Sequence, residues 1–447
     1  MNRYKFLILL VIAALLIPMA TAVAQDPVEV RVWVAFTDYR LDWTKERAAE
    51  FSEMYPDYAI NVEGYQSYNA AFDATVLAAE QGSPPAITHF FEAATQEARD
   101  AVNPDGDPLF RSVEEAIAGR EDIGGVPVVL GDVVSAAADY YTLDGSFASM
   151  PWNTSSTVMF SNQEMLEAAG VEAIPETWAG IEAACELIMA MEDGPDNCIT
   201  WPNHSWFMEQ SVAQQGADLS NMGNGREGRS DEVYLDSEAG LAYAEWWAML
   251  NEMGYYVYTG VQRDWGGTQN AFESQQVAFL IFSSSDATAI PVNTAENFTT
   301  IVSRMPYNDA VEYAGNIIGG ATLWLNNGLD EAAEEGALMF LNWFSNPENA
   351  AEWHQLTGYI PITNTAYDGL VEDGWFEENP NAAVANIQLD LVPNTGALIG
   401  NFVAIRDVYT AAMEEILIDG TDVAETLAEA NEDANELLME YNLLYVE

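Results

Sequence analysis

From Met305 to the C-terminus the sequence runs for 143 residues and carries a single cation, Arg406. A planar guanidinium is the group best matched to a phosphate or a carboxylate, which it holds through two parallel hydrogen bonds. Asp407 and Glu414 offer the alternative, an ordinary ion pair on a helix surface that contributes little. Composition leaves both readings open. The 71 acidic residues supply carboxylate pairs in abundance, and a pair about 5 or 9 Å apart suffices for glycoside hydrolysis. No pair is marked by its surroundings, His89, His204 and His354 are isolated, and there is no Ser-His-Asp pattern. An enzyme is not expected. His354, within Glu352-Trp353-His354-Gln355, reads as a helix residue with a structural hydrogen bond.

Metal and thiol chemistry find little footing. Asn103-Pro104-Asp105-Gly106-Asp107 starts like a calcium loop but lacks the later ligands and the closing Glu. Neither a metal nor a cofactor is expected. Cys185 falls in an apolar-periodic run (Ile181, Ala184, Leu187, Ile188, Met191) and Cys198 follows the turn at 194–197. The two could close a small disulfide loop or be buried free thiols; neither has the spacing of a zinc site.

The chain has 447 residues, with 14 Lys+Arg against 71 Asp+Glu and a formal charge of -57. A nucleic-acid partner is excluded, because binding phosphates needs a basic footprint. At 49% hydrophobic and 11% aromatic, the chain has material for large cores, so its charge signals an acidic surface tolerable in a salty or acidic habitat rather than disorder. Two domains are expected from the length. Arg3 and Lys5, the apolar run over 6–17, Pro18 and Ala22-Val23-Ala24 read as a secretory signal peptide over 1–24. The run is short for a bilayer span, which needs about 20 residues. The expected protein is soluble and exported, periplasmic or extracytoplasmic, where a disulfide would persist.

The elements that must position these groups alternate. Val28, Val30, Val32 and Val34 mark a strand, 41–54 a helix stopped at Pro56, and 58–62 a strand. A helix over 69–81 ends at Gly82-Ser83-Pro84-Pro85 before a strand over 86–91. This βαβ opening favours a parallel sheet with flanking helices. A Tyr-rich segment follows Gly131, one strand passes through 150–160, and a helical region begins near Gln163, where a second domain plausibly starts. The last sixty residues return to helix, with Ile405, Tyr409, Met413, Ile416 and Leu417 on one face.

These features in order resemble the extracellular solute-binding proteins of ABC sugar importers: an exported leader, an opening strand, a helix ending in Phe51-x-x-x-Tyr55-Pro56, Gly-x-Pro-Pro before a strand, and PENAAEWHQLTGYIPIT at 347–363. PAITHFFEAAT (85–95), PWNTSSTVMFSN (151–162), IIGGATLW (317–324), AYDGLVEDGWFEENP (366–380) and GNFVAIR (400–406) are similar to the members of that family that bind glycerol phosphates. The resemblance covers essentially the whole chain after the leader. It implies an α/β, two-lobed periplasmic-binding-protein fold, each lobe a mainly parallel sheet flanked by helices, with a ligand cleft at the hinge. Lobe one would comprise 25–150 plus 320–378, and lobe two 151–319 plus 379–447. The implied function is that of a monomeric substrate-binding component, delivering sn-glycerol-3-phosphate or a glycerophosphodiester to a membrane permease with a cytoplasmic ATPase. A neutral oligosaccharide is the alternative ligand.

Position by position, the family's ligand contacts fall on Tyr68, Glu92, Ser155, Ser283, Gly320, Tyr359 and Arg406. Their chemistry is coherent: a carboxylate and phenols suit the hydroxyls of a polyol, while serine hydroxyls, exposed backbone and a guanidinium suit a phosphate. The sequence departs from the family where relatives wall the cleft with tryptophans. Among Trp201-Pro202-Asn203-His204-Ser205-Trp206, Trp206 is the expected wall and Trp201 the second choice. A dianion would be repelled by so acidic a chain at long range, although the Debye length is only about 8 Å at physiological salt.

Overall fold

The computed structural model describes residues 26–393 and 395–445; the segment read as a signal peptide lies outside them. The opening alternation forms β1 (Val28–Val34), with Val30, Val32 and Val34 fully buried or nearly so. Helix α1 (Tyr39–Met54) is capped by the Asp38 carboxylate, which accepts from the Arg40 amide, and it buries Trp43, Ala48 and Phe51. Strand β2 (Tyr58–Gly64) pairs parallel to β1. Helix α2 (Tyr68–Glu80) is capped by Ser67, and β3 (Ile87–Phe91) pairs parallel to β1 on its other side. The expected βαβ opening is present.

The first sheet has six strands. Beyond β1, β2 and β3 it takes β4 (Phe110–Arg111), β5 (Met150–Ser155) and the later strand β10 (Gly319–Asn326), in the order β2-β1-β3-β10-β4 with β5 also on β10. The second sheet has four: β6 (Thr157–Asn162), β7 (Ile199–Thr200), β8 (Phe279–Ser283) and β9 (Thr300–Arg304), in the order β7-β8-β6-β9. Two lobes of α/β architecture result, each with its own buried core.

The expectation that each sheet is mainly parallel needs correction. β10 runs antiparallel to β3, β4 and β5, and β6 runs antiparallel to both β8 and β9. The reason is the path of the chain, which leaves one sheet and enters the other without a crossover helix, so the connecting strands arrive in the opposite sense. The single strand expected through 150–160 is likewise two strands, broken at Ser156. There the Ser156 amide donates to Ser284 Oγ (3.1 Å) and the Ser284 amide to the Ser156 carbonyl (2.9 Å). The break costs no backbone hydrogen bonding, as burial requires.

Cys185, in the helix α3 (Trp178–Met189), is disulfide-bonded to Cys198, with their Cα atoms 5.4 Å apart and both side chains fully buried. The cross-link lies in the core of the second lobe, beside Ile181, Ile188 and Trp201. A bridge closing a loop of this length stabilises by about 3 kcal/mol, chiefly by restricting the unfolded chain. Urea denaturation of the Cys185→Ala/Cys198→Ala variant should therefore give a stability about 3 kcal/mol lower than that of the oxidised protein. An unchanged midpoint would mean that the bridge adds nothing.

Candidate functional site

A cleft of about 550 Å³ opens between the lobes, within the range of small-molecule sites, roughly 300–1,000 Å³. The sequence-derived residues converge on it. Tyr68, Glu92, Ser155, Gly320 and Tyr359 reach it from segments bordering the first sheet, and Trp206, Ser283 and Arg406 from segments bordering the second. Trp201, the second choice for a cleft wall, is instead fully buried in the core of the second lobe, stacked on Trp246 at 5.6 Å.

Arg406 sits in helix α4 (Phe402–Asp419) and is only 3% exposed. It is not paired with its sequence neighbours. Asp407 pairs with Arg263, and Glu414 accepts from Tyr258 and Gln262. Arg406 instead forks onto Glu209, Nε donating to Oε1 (2.7 Å) and Nη2 to Oε2 (2.6 Å), while Nη2 also donates to Glu92 Oε1 (2.7 Å). Nη1 takes part in none of these bonds. Burial alone would pull the guanidinium pKa down, but Glu209 and Glu92 more than offset it, so Arg406 remains charged. Burial pushes the Glu92 carboxyl up, and Arg406 counteracts this in part.

The aromatic residues are held by neighbours. Tyr68 opens α2, its ring stacked on Phe91 at 5.1 Å, and its hydroxyl accepts from Asn153 Nδ2 (3.2 Å). Asn153 Oδ1 in turn lies 2.7 Å from His89 Nε2, while His89 Nδ1 accepts from the Ala35 amide (3.2 Å). That contact fixes the proton on Nε2, so His89 is the donor that orients the Asn153 amide toward Tyr68. Tyr359 follows the helix Pro347–Thr357 through Gly358, whose φ is +102°, and stacks on Trp353 at 5.8 Å. His354 meets the Tyr359 carbonyl at 2.7 Å, the structural hydrogen bond expected of it.

Backbone geometry shapes the floor. Gly320 has φ +98°, and a Cβ there would lie 1.9 Å from the Asn153 carbonyl oxygen, so no other residue fits. Ser155 and Ser283 face the cleft, whereas their neighbours Ser156 and Ser284 are fully buried at the lobe crossing. Ser283 Oγ accepts from the Ser285 amide (3.2 Å), which leaves its proton for another acceptor. Trp206 starts a helix and lies against Gly319, where a Cβ would come within 2.2 Å of its ring.

Sequence reasoning missed several groups here. Glu209 lies behind Arg406, and Arg40, Arg263, Asp286, His204 and Trp265 line the cleft. Arg40 pairs with Asp38 and lies over the Phe36 ring at 4.4 Å. The scarcity of cations was the signal available: in a chain with 14 basic residues, each retained arginine has a reason to be asked for. Among the described residues, no group of three or more His, Cys, Asp or Glu could hold a metal ion, and no helix is long and apolar enough to cross a membrane.

The sequence pattern of the bacterial extracellular solute-binding proteins matches residues 46–384. The sn-glycerol-3-phosphate-binding periplasmic protein UgpB of Yersinia pseudotuberculosis is 30% identical over 382 residues, 83% of each chain. UgpB of Escherichia coli O6:K15:H31 is 29% identical over 407 residues, covering 88% of this chain and 89% of the relative. Among solved structures, UgpB from Mycobacterium tuberculosis in complex with glycerophosphocholine superposes with a TM-score of 0.74 at 19% identity, over 94% of this chain and 100% of that one. The GacH receptor of Streptomyces glaucescens, solved unliganded and with acarbose, superposes with a TM-score of 0.74 at 18% identity, over 93% of this chain and 100% of that one.

Burial holds His89 neutral, its pKa lowered to about 3, whereas in the unfolded chain it titrates near about 6.5. Between those values the unfolded state binds the extra proton. The stability this neutral ring confers is full above about pH 6.5 and is lost as the pH falls, by about 2 kcal/mol between pH 7 and pH 5. His89→Gln, whose amide still donates to Asn153, lacks that term. The stability gap between wild type and His89→Gln should therefore narrow by about 2 kcal/mol from pH 7 to pH 5 in chemical denaturation, the many surface carboxylates cancelling in the comparison. A constant gap would show that His89 titrates as it does in water.

Proposed function

This chain belongs to the bacterial extracellular solute-binding proteins, substrate-binding components of ABC importers, and on that premise we propose that its ligand is sn-glycerol-3-phosphate or a glycerophosphodiester, held between the lobes. The observation that carries this reading is the convergence of Tyr68, Glu92, Ser155, Ser283, Gly320, Tyr359, Arg406 and Trp206 on one cleft. The phosphate is held by the hydroxyls of Ser155 and Ser283, the backbone beside Gly320 and Arg406 Nη1. Glu92, Tyr68 and Tyr359 take the glycerol hydroxyls, and Trp206 gives an apolar wall. Lobe one comprises about 25–150 plus 320–378 and lobe two about 151–319 plus 379–447. They close around the ligand by a hinge movement. The exported, monomeric closed form then docks on a permease driven by a cytoplasmic ATPase. Binding is the whole chemistry.

A neutral oligosaccharide is the competing ligand, favoured by one observation: Arg406 is already paired with two carboxylates. That pairing also makes Arg406→Ala a poor discriminator. It would leave Glu92 and Glu209 buried without their cation, at a cost of about 3–5 kcal/mol to the fold itself. Ser283→Ala leaves the ion pairs intact.

Thermal unfolding with sn-glycerol-3-phosphate, glycerophosphocholine and maltose tests the reading. A ligand at 100 times its dissociation constant adds about 2.7 kcal/mol of stability, so a phosphate compound should raise the melting temperature by several degrees. Ser283→Ala should weaken that binding by about 1.5–3 kcal/mol, the scale of one hydrogen bond to a charged group. Stabilisation by maltose alone would overturn the phosphate reading in favour of a sugar.

A further inference from the structure

Charge in and around the cleft does not balance. Three guanidinium groups reach it, those of Arg40, Arg263 and Arg406. Arg40 is paired with Asp38 and Arg263 with Asp407, so neither has a surplus charge to offer. Arg406 has two partners, Glu92 and Glu209. Asp286 lines the same cleft, where its carboxylate accepts a hydrogen bond from the hydroxyl of Ser285 at 2.9 Å. The carboxylates therefore outnumber the cations, and a phosphate approaching Arg406 meets a cluster of net negative charge.

Glu209 is the member of that cluster that cannot adjust. It sits on a helix, Trp206–Gln214, in which every residue is buried. Two bonds from Arg406 and a third from Ser205 Oγ (3.0 Å) fix its carboxylate. It is absent from the cleft lining and is in no position to touch a ligand held there, whereas Glu92 lines the cleft. Glu209 thus acts on a ligand only through Arg406, by orienting the guanidinium and by cancelling its charge.

We propose that Glu209 is a specificity-determining residue, which sets the cleft to favour a singly charged phosphodiester over a doubly charged phosphomonoester. The inference rests on the phosphate reading above. A phosphomonoester carries close to two negative charges above its second pKa of about 6, and a diester carries one. Each added ligand charge repeats the repulsion from the uncancelled carboxylate. At an effective dielectric constant of about 20, one such repulsion corresponds to a factor of more than roughly ten in affinity at any separation below about 12 Å.

The matched probes are sn-glycerol-3-phosphate and its methyl diester, titrated calorimetrically at pH 8, where they differ by one charge. Wild type is expected to bind the diester more tightly. Glu209→Gln, which keeps the side-chain shape while leaving Glu92 to pair Arg406, should shift the monoester-to-diester affinity ratio roughly tenfold or more toward the monoester. Glu209→Asp retains the charge with a shorter reach; it should keep the wild-type ratio even where both affinities fall, which separates charge from positioning. Diester preference in wild type that persists unchanged in Glu209→Gln overturns the proposal and leaves the ligand reading standing. So does a ratio that moves equally in Glu209→Asp. If neither probe binds wild type, the ligand reading fails and this inference falls with it.

Discussion

A guanidinium buried as deeply as that of Arg406 needs fixed partners to replace the water it loses. In this protein that requirement organises the site. Arg406 projects from the C-terminal helical region of the second lobe, Glu209 supplies a fork from the helix beneath it, and Glu92 completes the pairing from the end of a strand in the first lobe. The ion pair with Glu92 therefore crosses between the lobes. The charge most suited to gripping an anion is thus also a contact that spans the cleft.

The polypeptide crossing places the remaining groups. At Ser155-Ser156 and Ser283-Ser284, one serine of each pair faces the cleft and the other closes reciprocal bonds with the opposite segment. Alternation along an extended chain forces that division. Gly320 lies opposite Thr154 across the sheet, where its positive φ and the approaching Asn153 carbonyl leave no room for a side chain. The same strand pair carries Asn153, which links His89 to Tyr68. One stretch of backbone thus fixes hydroxyls, exposed peptide and phenol relative to one another.

The acidic surface and the site obey different physics. Across the surface, a formal charge of -57 is screened by salt within about a nanometre. Inside the cleft, screening is weak and single charges decide. The three arginines that line it, each already answered by carboxylates, distinguish this site from a plain cationic pocket.

Much was legible in the residues. The alternating valines fix β1, the helix stopped at Pro56 follows from local rules, and the core-forming composition needs no coordinates. These are local or additive properties, which neighbours along the chain determine. The family resemblance named seven residues that share one cleft with Trp206, and the lone cation of the C-terminal third singled out Arg406 without any relative. What the sequence left open was pairing. Asp407 and Glu414 were as eligible for Arg406 as Glu209, which is 197 positions away in the chain. Cys185 and Cys198 were as eligible to be thiols, and Trp201 stood as second choice to Trp206 for the cleft wall. The strand sense, expected to be mainly parallel in each sheet, proved antiparallel wherever the chain crosses between them. Each of these depends on which distant segments the lobe crossings bring together, and partnership across space is set by the packing of the whole chain rather than by the type of any residue in it.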